Sequence, residues 1–137
     1  MPSNILVVED ERDLRRMLVS ALKPLGEVSE ASGGKAALRR IKARRPDLVL
    51  LDITMPDLDG LSVLRAARAL HPGLVVVMLT GESDLAVANT ALEQGARTYV
   101  TKPFDIDVVY GEVERLLAER AHRPAPPSGR PWRVASP

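Results

Sequence analysis

Five residues in this chain carry side chains suited to handling phosphorus: Glu9, Asp10, Asp52, Thr80 and Lys102, with Gly81 beside the threonine. Clustered carboxylates repel one another unless a divalent cation neutralises them, and hard oxygen ligands select Mg²⁺. An aspartate is ionised near neutral pH in water, so it can attack an electrophilic phosphorus without a general base. A lysine supplies a point charge for phosphoryl oxygens, and a threonine hydroxyl supplies a donor. Sites of this kind work by positioning and charge neutralisation. Singly, each residue has a blander reading. Asp52 could cap a turn, Thr80 could bond its own backbone, and Lys102 could be solvated. The chemistry is an argument only if the fold brings them together.

The flanking sequence gives reasons to expect that. Ile5-Leu6-Val7-Val8 runs into Glu9-Asp10, Leu48-Val49-Leu50-Leu51 into Asp52, and Leu74 to Leu79 into Thr80-Gly81. Unbroken apolar runs bounded by polar and turn residues suit strands buried on both faces, as in a parallel sheet. Val28 to Ala31 is a weaker strand candidate, and Thr98 to Thr101 is a short one ending at Lys102-Pro103. Between them the period changes to that of helices. Leu14, Met17, Leu18, Ala21 and Leu22 form one stripe, with Arg12, Arg15 and Arg16 off it. Ala37, Leu38 and Ile41 mark a helix over 35–45, stopped before Pro46, and Leu61, Leu64 and Ala67 or Arg68 mark one over 61–70. A fourth helix runs from Leu85 to Gln94, capped by Ser83 or Asp84 and closed by Gly95. Ile106, Val109, Val113, Leu116 and Leu117 form the stripe of the last, which starts near Asp105.

Strand and helix alternate five times, the signature of a doubly wound α/β domain with right-handed crossovers. In such a sheet ligands bind beyond the carboxyl ends of the strands. The carboxylates, hydroxyl and ammonium then share one rim. We place this domain over residues 1–121. Residues 122–137 carry five of the eleven prolines and no hydrophobic period, as a flexible tail or linker does.

Composition narrows the function classes. A chain of 137 residues, 45% hydrophobic and 27% charged, is long enough for one domain with a real core. A formal net charge of +1 gives no bulk attraction to nucleic acid or membrane. There is no cysteine, hence no disulfide or thiolate metal site, which fits the cytoplasm. The N-terminal apolar run stops at Glu9, too short for a signal peptide or a membrane span.

In order and spacing, these motifs resemble a response-regulator receiver domain. The residues that carry the resemblance are Glu9-Asp10, Asp52 followed by Met55-Pro56 and Asp59-Gly60, Thr80-Gly81, Gly95-Ala96 ahead of Tyr99, and Thr101-Lys102-Pro103-Phe104. It covers about residues 3–120. The resemblance implies a flavodoxin-like fold, a five-stranded parallel sheet in the order 2-1-3-4-5 flanked by five helices. It also implies roles. Asp52 is the phosphoacceptor. Asp10, Asp52 and the backbone carbonyl of Thr54 ligate Mg²⁺, and Glu9 acts through a metal-bound water. Thr80, Gly81 and Lys102 meet the phosphoryl group, and Tyr99 turns inward with Thr80. The bond before Pro103 is cis. The implied partners are a sensor histidine kinase or histidine phosphotransfer protein and a downstream protein effector, with no direct nucleic-acid contact. The resemblance leaves room for a phosphorylation-dependent homodimer. Glu9 departs from the aspartate often found at its position, and Thr54 and Glu82 occupy positions that vary.

Other readings fare worse. Gly33-Gly34-Lys35-Ala36 is no P-loop, because Ser29 stands where the first glycine is needed and Ala36 where a hydroxyl should meet magnesium. An aspartyl-phosphate hydrolase of the haloacid-dehalogenase type needs an acid two residues after its nucleophile, where this chain has Thr54. A pseudo-receiver would not need the full set of acids, threonine and lysine. The expected function is therefore a stand-alone signalling phosphoacceptor rather than an enzyme. The regulatory part of a longer transcription factor is the alternative. Trp132, alone among prolines, reads as a solvated tail residue.

Overall fold

The structure, a computed structural model, describes residues 2–81 and 85–122, with the backbone alone for 121 and 122. The cap expected at Ser83 or Asp84, Glu82, Trp132 and the proline-rich stretch from 123 onward lie outside the described residues. Five strands, β1 (Ser3–Val8), β2 (Gly26–Ala31), β3 (Leu48–Asp52), β4 (Val75–Gly81) and β5 (Thr98–Lys102), form one sheet in the order β2-β1-β3-β4-β5. Every neighbouring pair is parallel. The helices are α1 (Arg12–Leu22), α2 (Gly34–Ala43), α3 (Gly60–Leu70), α4 (Leu85–Glu93) and α5 (Ile106–His122). A 3₁₀ turn over Lys23–Leu25 follows α1. The doubly wound sheet expected from the alternation is the fold observed.

The unbroken apolar runs explain themselves in the packing. Successive strand residues point to opposite faces, so each run feeds two cores. Leu6, Val8, Val49, Leu51, Val76 and Met78 pack under α2, α3 and α4, with Ala37, Ile41, Val63, Leu64 and Ala88 from those helices. Ile5, Val7, Leu48, Leu50, Val77 and Leu79 pack under α1 and α5, with Leu18, Leu22, Val109, Val113 and Leu116. All twelve strand residues are essentially without solvent exposure. A polar residue at any of these positions would lie in apolar surroundings on one face or the other.

Several boundaries differ from the sequence reading, each for a local reason. β2 begins at Gly26 rather than Val28, because Gly26 and Glu27 pair through backbone alone with Ser3 and Asn4. α2 ends at Ala43, not Arg45; Arg44 is already extended, and its N–H still reaches the Arg40 carbonyl. β4 and β5 run on through Thr80-Gly81 and Lys102, so these residues belong to the strands instead of following them. Met17 leaves the expected inner stripe of α1 and is 47% exposed, because Leu14, Leu18 and Leu22, spaced by whole turns, make the seam. Arg15, off that stripe as expected, nonetheless has a side chain only 14% exposed. Gly95 closes α4 with φ +105, a left-handed conformation that glycine adopts without steric cost.

Candidate functional site

The sheet register sets the rim. Val8 pairs with Leu51, and Leu51 with Met78, so Glu9 comes level with Asp52. Asp52 pairs with Leu79, and Gly81 with Lys102, so Lys102 stands two residues further along and its long side chain reaches back. By strand alternation Asp52 and Lys102 share the face occupied by α1 and α5. Thr80 and Tyr99 share the opposite face, beside Met78 and Thr101.

The contacts follow that placement. Lys102 Nζ donates to Glu9 Oε1 at 3.0 Å and lies 3.3 Å from Asp52 Oδ1. Asp52 Oδ1 also accepts from the Thr54 amide at 3.2 Å. Asp52 Oδ2 and the Thr54 carbonyl accept no hydrogen bond from the described residues. Glu9, almost wholly buried, is held by its second oxygen, which accepts the Glu11 amide at 3.0 Å. Asp10 is exposed, and one oxygen from each of Glu9, Asp10 and Asp52 can lie within 4.8 Å of the others.

Electrostatics explains why this cluster is suited to a cation. Burial, then the neighbouring Glu9 charge, pushes the Asp52 carboxyl up to about 7, against the opposing pull of Lys102 and the Thr54 amide. The freely ionised aspartate expected from the sequence is thus corrected: without a cation the Asp52 carboxyl is only partly ionised at neutral pH. Burial by itself lowers the Lys102 pKa. The hydrogen bond to Glu9 and the Asp52 charge outweigh it and hold the ammonium above the usual lysine range. A divalent ion bound by the three acids would supply the missing positive charge, and an all-oxygen donor set of this kind fits Mg²⁺.

Thr80 is buried at the end of β4, its hydroxyl donating to the Gly81 carbonyl at 3.2 Å. Tyr99 is half-buried against the core under α4. The Lys102–Pro103 peptide bond is cis. The loop between β3 and α3 is anchored at two acids. Asp59 caps α3, accepting from the Ser62 amide at 2.9 Å. Asp57, which the sequence did not single out, crosses to α2 and accepts from the Gly34 amide at 3.0 Å and the Lys35 amide at 3.1 Å. Those bonds hold its carboxyl below the usual aspartate range. The glycines of the false P-loop have their explanation here: a Cβ on Gly33 would sit 2.8 Å from Asp57 Oδ1, and one on Gly34 2.8 Å from Leu58. Gly60 lies against the end of β3 itself, its amide donating to the Ile53 carbonyl at 2.7 Å.

A cavity of about 190 Å³ lies at the other end of the sheet, lined by Asn4, Ser29, Arg40 and Arg44 among others, and shares no residue with this rim.

The model of the response regulator receiver domain matches residues 5–114, which takes in every residue of this rim. The chain belongs to that family. The receiver is similar to the DNA-binding transcriptional regulator NtrC of Proteus hauseri, 36% identical over 90% of this chain and 26% of the relative. It is also similar to the probable transcriptional regulatory protein TcrX of Mycobacterium tuberculosis, 38% identical over 85% of this chain and 50% of the relative. It thus spans a quarter to a half of the length of these relatives. Among solved structures, the receiver domain of NtrX from Brucella abortus is 38% identical, with TM-score 0.77, over 83% of this chain and 98% of that one. A CheY-like receiver from Methanospirillum hungatei superposes with TM-score 0.84 at 28% identity, over 88% of this chain and 98% of that one. The family uses Mg²⁺ in two-component signalling, at an acidic pocket such as the Glu9, Asp10 and Asp52 cluster forms here. Among the described residues no helix is long and apolar enough to cross a membrane.

Proposed function

We propose that this receiver is a phosphoryl-operated switch with Asp52 as its acceptor. The observation that carries the reading is the single ammonium of Lys102 set between Asp52 Oδ1 and the buried Glu9, with Asp10 close enough to share a cation. Asp52 Oδ2 would form a bond to the phosphorus of a phosphohistidine on a sensor kinase or histidine phosphotransfer protein. The phosphorus–nitrogen bond breaks, and the imidazole leaves with its electron pair and takes up a proton. Glu9, Asp10, Asp52 and the Thr54 carbonyl would hold Mg²⁺, which neutralises the crowded carboxylates and phosphoryl oxygens, with Glu9 acting through water. Lys102, the Thr80 hydroxyl and the Gly81 segment would then receive the new phosphoryl oxygens. The product is a phosphoaspartate that signals by shape, not a released metabolite, so the chain acts as a signalling phosphoacceptor.

The output would be read on the surface of α4, β5 and α5. Tyr99 lies there, and Leu85, Leu92 and Val108 are 46%, 38% and 52% exposed on the same two helices. Movement of Thr80 toward a phosphoryl group, with Tyr99 following, would shift the balance between two packings of this face. A downstream protein or a second copy of the chain would select one of them.

The reading is tested by incubating the chain with Mg²⁺ and acetyl phosphate or phosphoramidate and weighing it intact, beside Asp52→Asn and Lys102→Ala. One acid-stable, base-labile phosphoryl adduct, absent from Asp52→Asn, is the expected result. No adduct with either donor or with a panel of phosphorylated kinases would favour a partner-binding pseudo-receiver. Rapid multiple turnover of the donor would favour a hydrolase.

A second reading concerns the module's setting. The curated relatives are two to four times longer and are named as transcriptional regulators, which favours the receiver segment of such a regulator over a stand-alone protein. Immunoblotting the native protein for its size separates the two.

A further inference from the structure

We infer that Arg15 is a positioning residue for the cation site, acting through the Glu9–Asp10 peptide unit. The inference rests on the Mg²⁺ reading of that site. Asp10 is the exposed member of the acidic cluster, and its carboxylate accepts no hydrogen bond from the described residues. Its location therefore depends on its two neighbours in the chain, and Arg15 bonds to both. The Arg15 guanidinium donates from Nη1 to the Glu9 carbonyl at 3.1 Å, which is the oxygen of the peptide unit that carries the Asp10 amide. The Arg15 amide donates to the Glu11 carbonyl at 2.9 Å.

The guanidinium is itself fixed. Its Nε meets Glu30 Oε1 on β2 at 2.7 Å, and its side chain is 14% exposed. Glu9 is tied to the same strand, its amide donating to the Ala31 carbonyl at 3.1 Å. Edge strand β2, which offers no ligand to the rim, thus holds one end of it. A planar guanidinium can satisfy a carboxylate and a carbonyl at once in fixed directions; an ammonium offers charge without that geometry. Outer groups that orient ligands commonly alter metal affinity by one to two orders of magnitude.

The test titrates the full chain with MgCl₂ and follows the backbone amide resonances of Asp10 and Asp52. Arg15→Ala and Arg15→Lys are each expected to weaken Mg²⁺ binding about tenfold, and Glu30→Gln to weaken it by a smaller factor. Wild-type affinity in Arg15→Lys would show that the positive charge suffices, and would overturn a positioning role. Wild-type affinity in a folded Arg15→Ala would overturn it equally. If Arg15→Ala fails to fold, Arg15→Lys and Glu30→Gln decide by the same titration. No Mg²⁺-dependent shift in the wild-type chain overturns the cation reading and this inference together. Tight wild-type binding with unchanged variants overturns this inference alone.

Discussion

Lys102 Nζ donates to Glu9 Oε1 across 3.0 Å and 93 residues of chain, joining the end of β5 to the end of β1. The two groups are unequally placed: the Glu9 side chain is 1% exposed and the Lys102 side chain 29%. Glu9 therefore depends on the ammonium far more than the ammonium depends on Glu9. Lys102→Ala leaves a buried carboxylate with the Glu11 amide as its remaining donor among the described residues. We expect a loss of about 2 kcal/mol in Mg²⁺-free urea denaturation, partly recovered on adding Mg²⁺. A variant as stable as the wild type would show that Glu9 does not depend on the ammonium for its place in the fold.

Asp52 gives a pH dependence of definite sign. Its pKa is raised in the fold to about 7, so the folded chain holds a proton there that the unfolded chain gives up near 3.8. The contribution of this group to stability is fully present below that lower value, declines as pH rises toward 7, and is flat beyond. Asp52→Asn removes the ionisable carboxyl. In Mg²⁺-free buffer it should raise the melting temperature at pH 8 by roughly 3–6 °C, with the gain shrinking toward pH 4. Mg²⁺ should stabilise the wild type at pH 8 and Asp52→Asn much less. Circular dichroism melts at three pH values decide it; a gain that grows on acidification would contradict the burial argument.

What was legible in the sequence and what was not divides along physical lines. The middles of strands buried on both faces are apolar, so β1, β3 and β4 stand out as unbroken apolar runs, and the residues that end them mark the rim. β2 is an edge strand whose first two residues pair by backbone alone, which leaves no side-chain pattern to read. Arg15 and Asp57 do not stand out in the sequence, for a different reason. Each looks like an ordinary charged surface residue in its own segment, and its partners, Glu30 and Glu9 for one, Gly34 and Lys35 for the other, are brought near only by the fold. The ionisation of Asp52 is not legible in the sequence either, because desolvation is a property of the packed site.

Gly60 tests how closely α3 must approach the end of β3. A Cβ built there would lie 2.5 Å from the Asp52 carbonyl oxygen and 2.6 Å from Ile53 Cα. Both are backbone atoms at the end of the central strand, and neither can yield without moving Asp52. Gly60→Ala should cost about 3 kcal/mol, at the upper end for overpacking, and should slow phosphorylation in the fraction that remains folded. Chemical denaturation with intact-mass labelling reads both effects. Gly111→Ala is the control: a Cβ there meets nothing within 4 Å, and alanine at this helical position should be neutral or stabilising.

Asp57 links the loop after Asp52 to α2. It serves as the cap that α2 lacks locally, since Gly33 has no side chain to offer. Negative charge at a helix N-terminus is favourable, and the two amide bonds favour the ionised carboxylate, which is why its pKa is depressed. A depressed pKa means the contribution is present above the unfolded value and is lost as pH falls through the folded one. Asp57→Ala should therefore speed hydrogen exchange at the Gly34 and Lys35 amides at pH 7. The difference from wild type should fade as the carboxyl protonates in acid. Asp57→Asn, which keeps an acceptor oxygen but no charge, should fall between the two. If the loop is located by this latch, Asp57→Ala will also shift the amide resonances of Asp52 and Thr54, which are joined to it by the same short loop. Faster exchange confined to the first turn of α2, with those resonances unmoved, would restrict Asp57 to capping the helix.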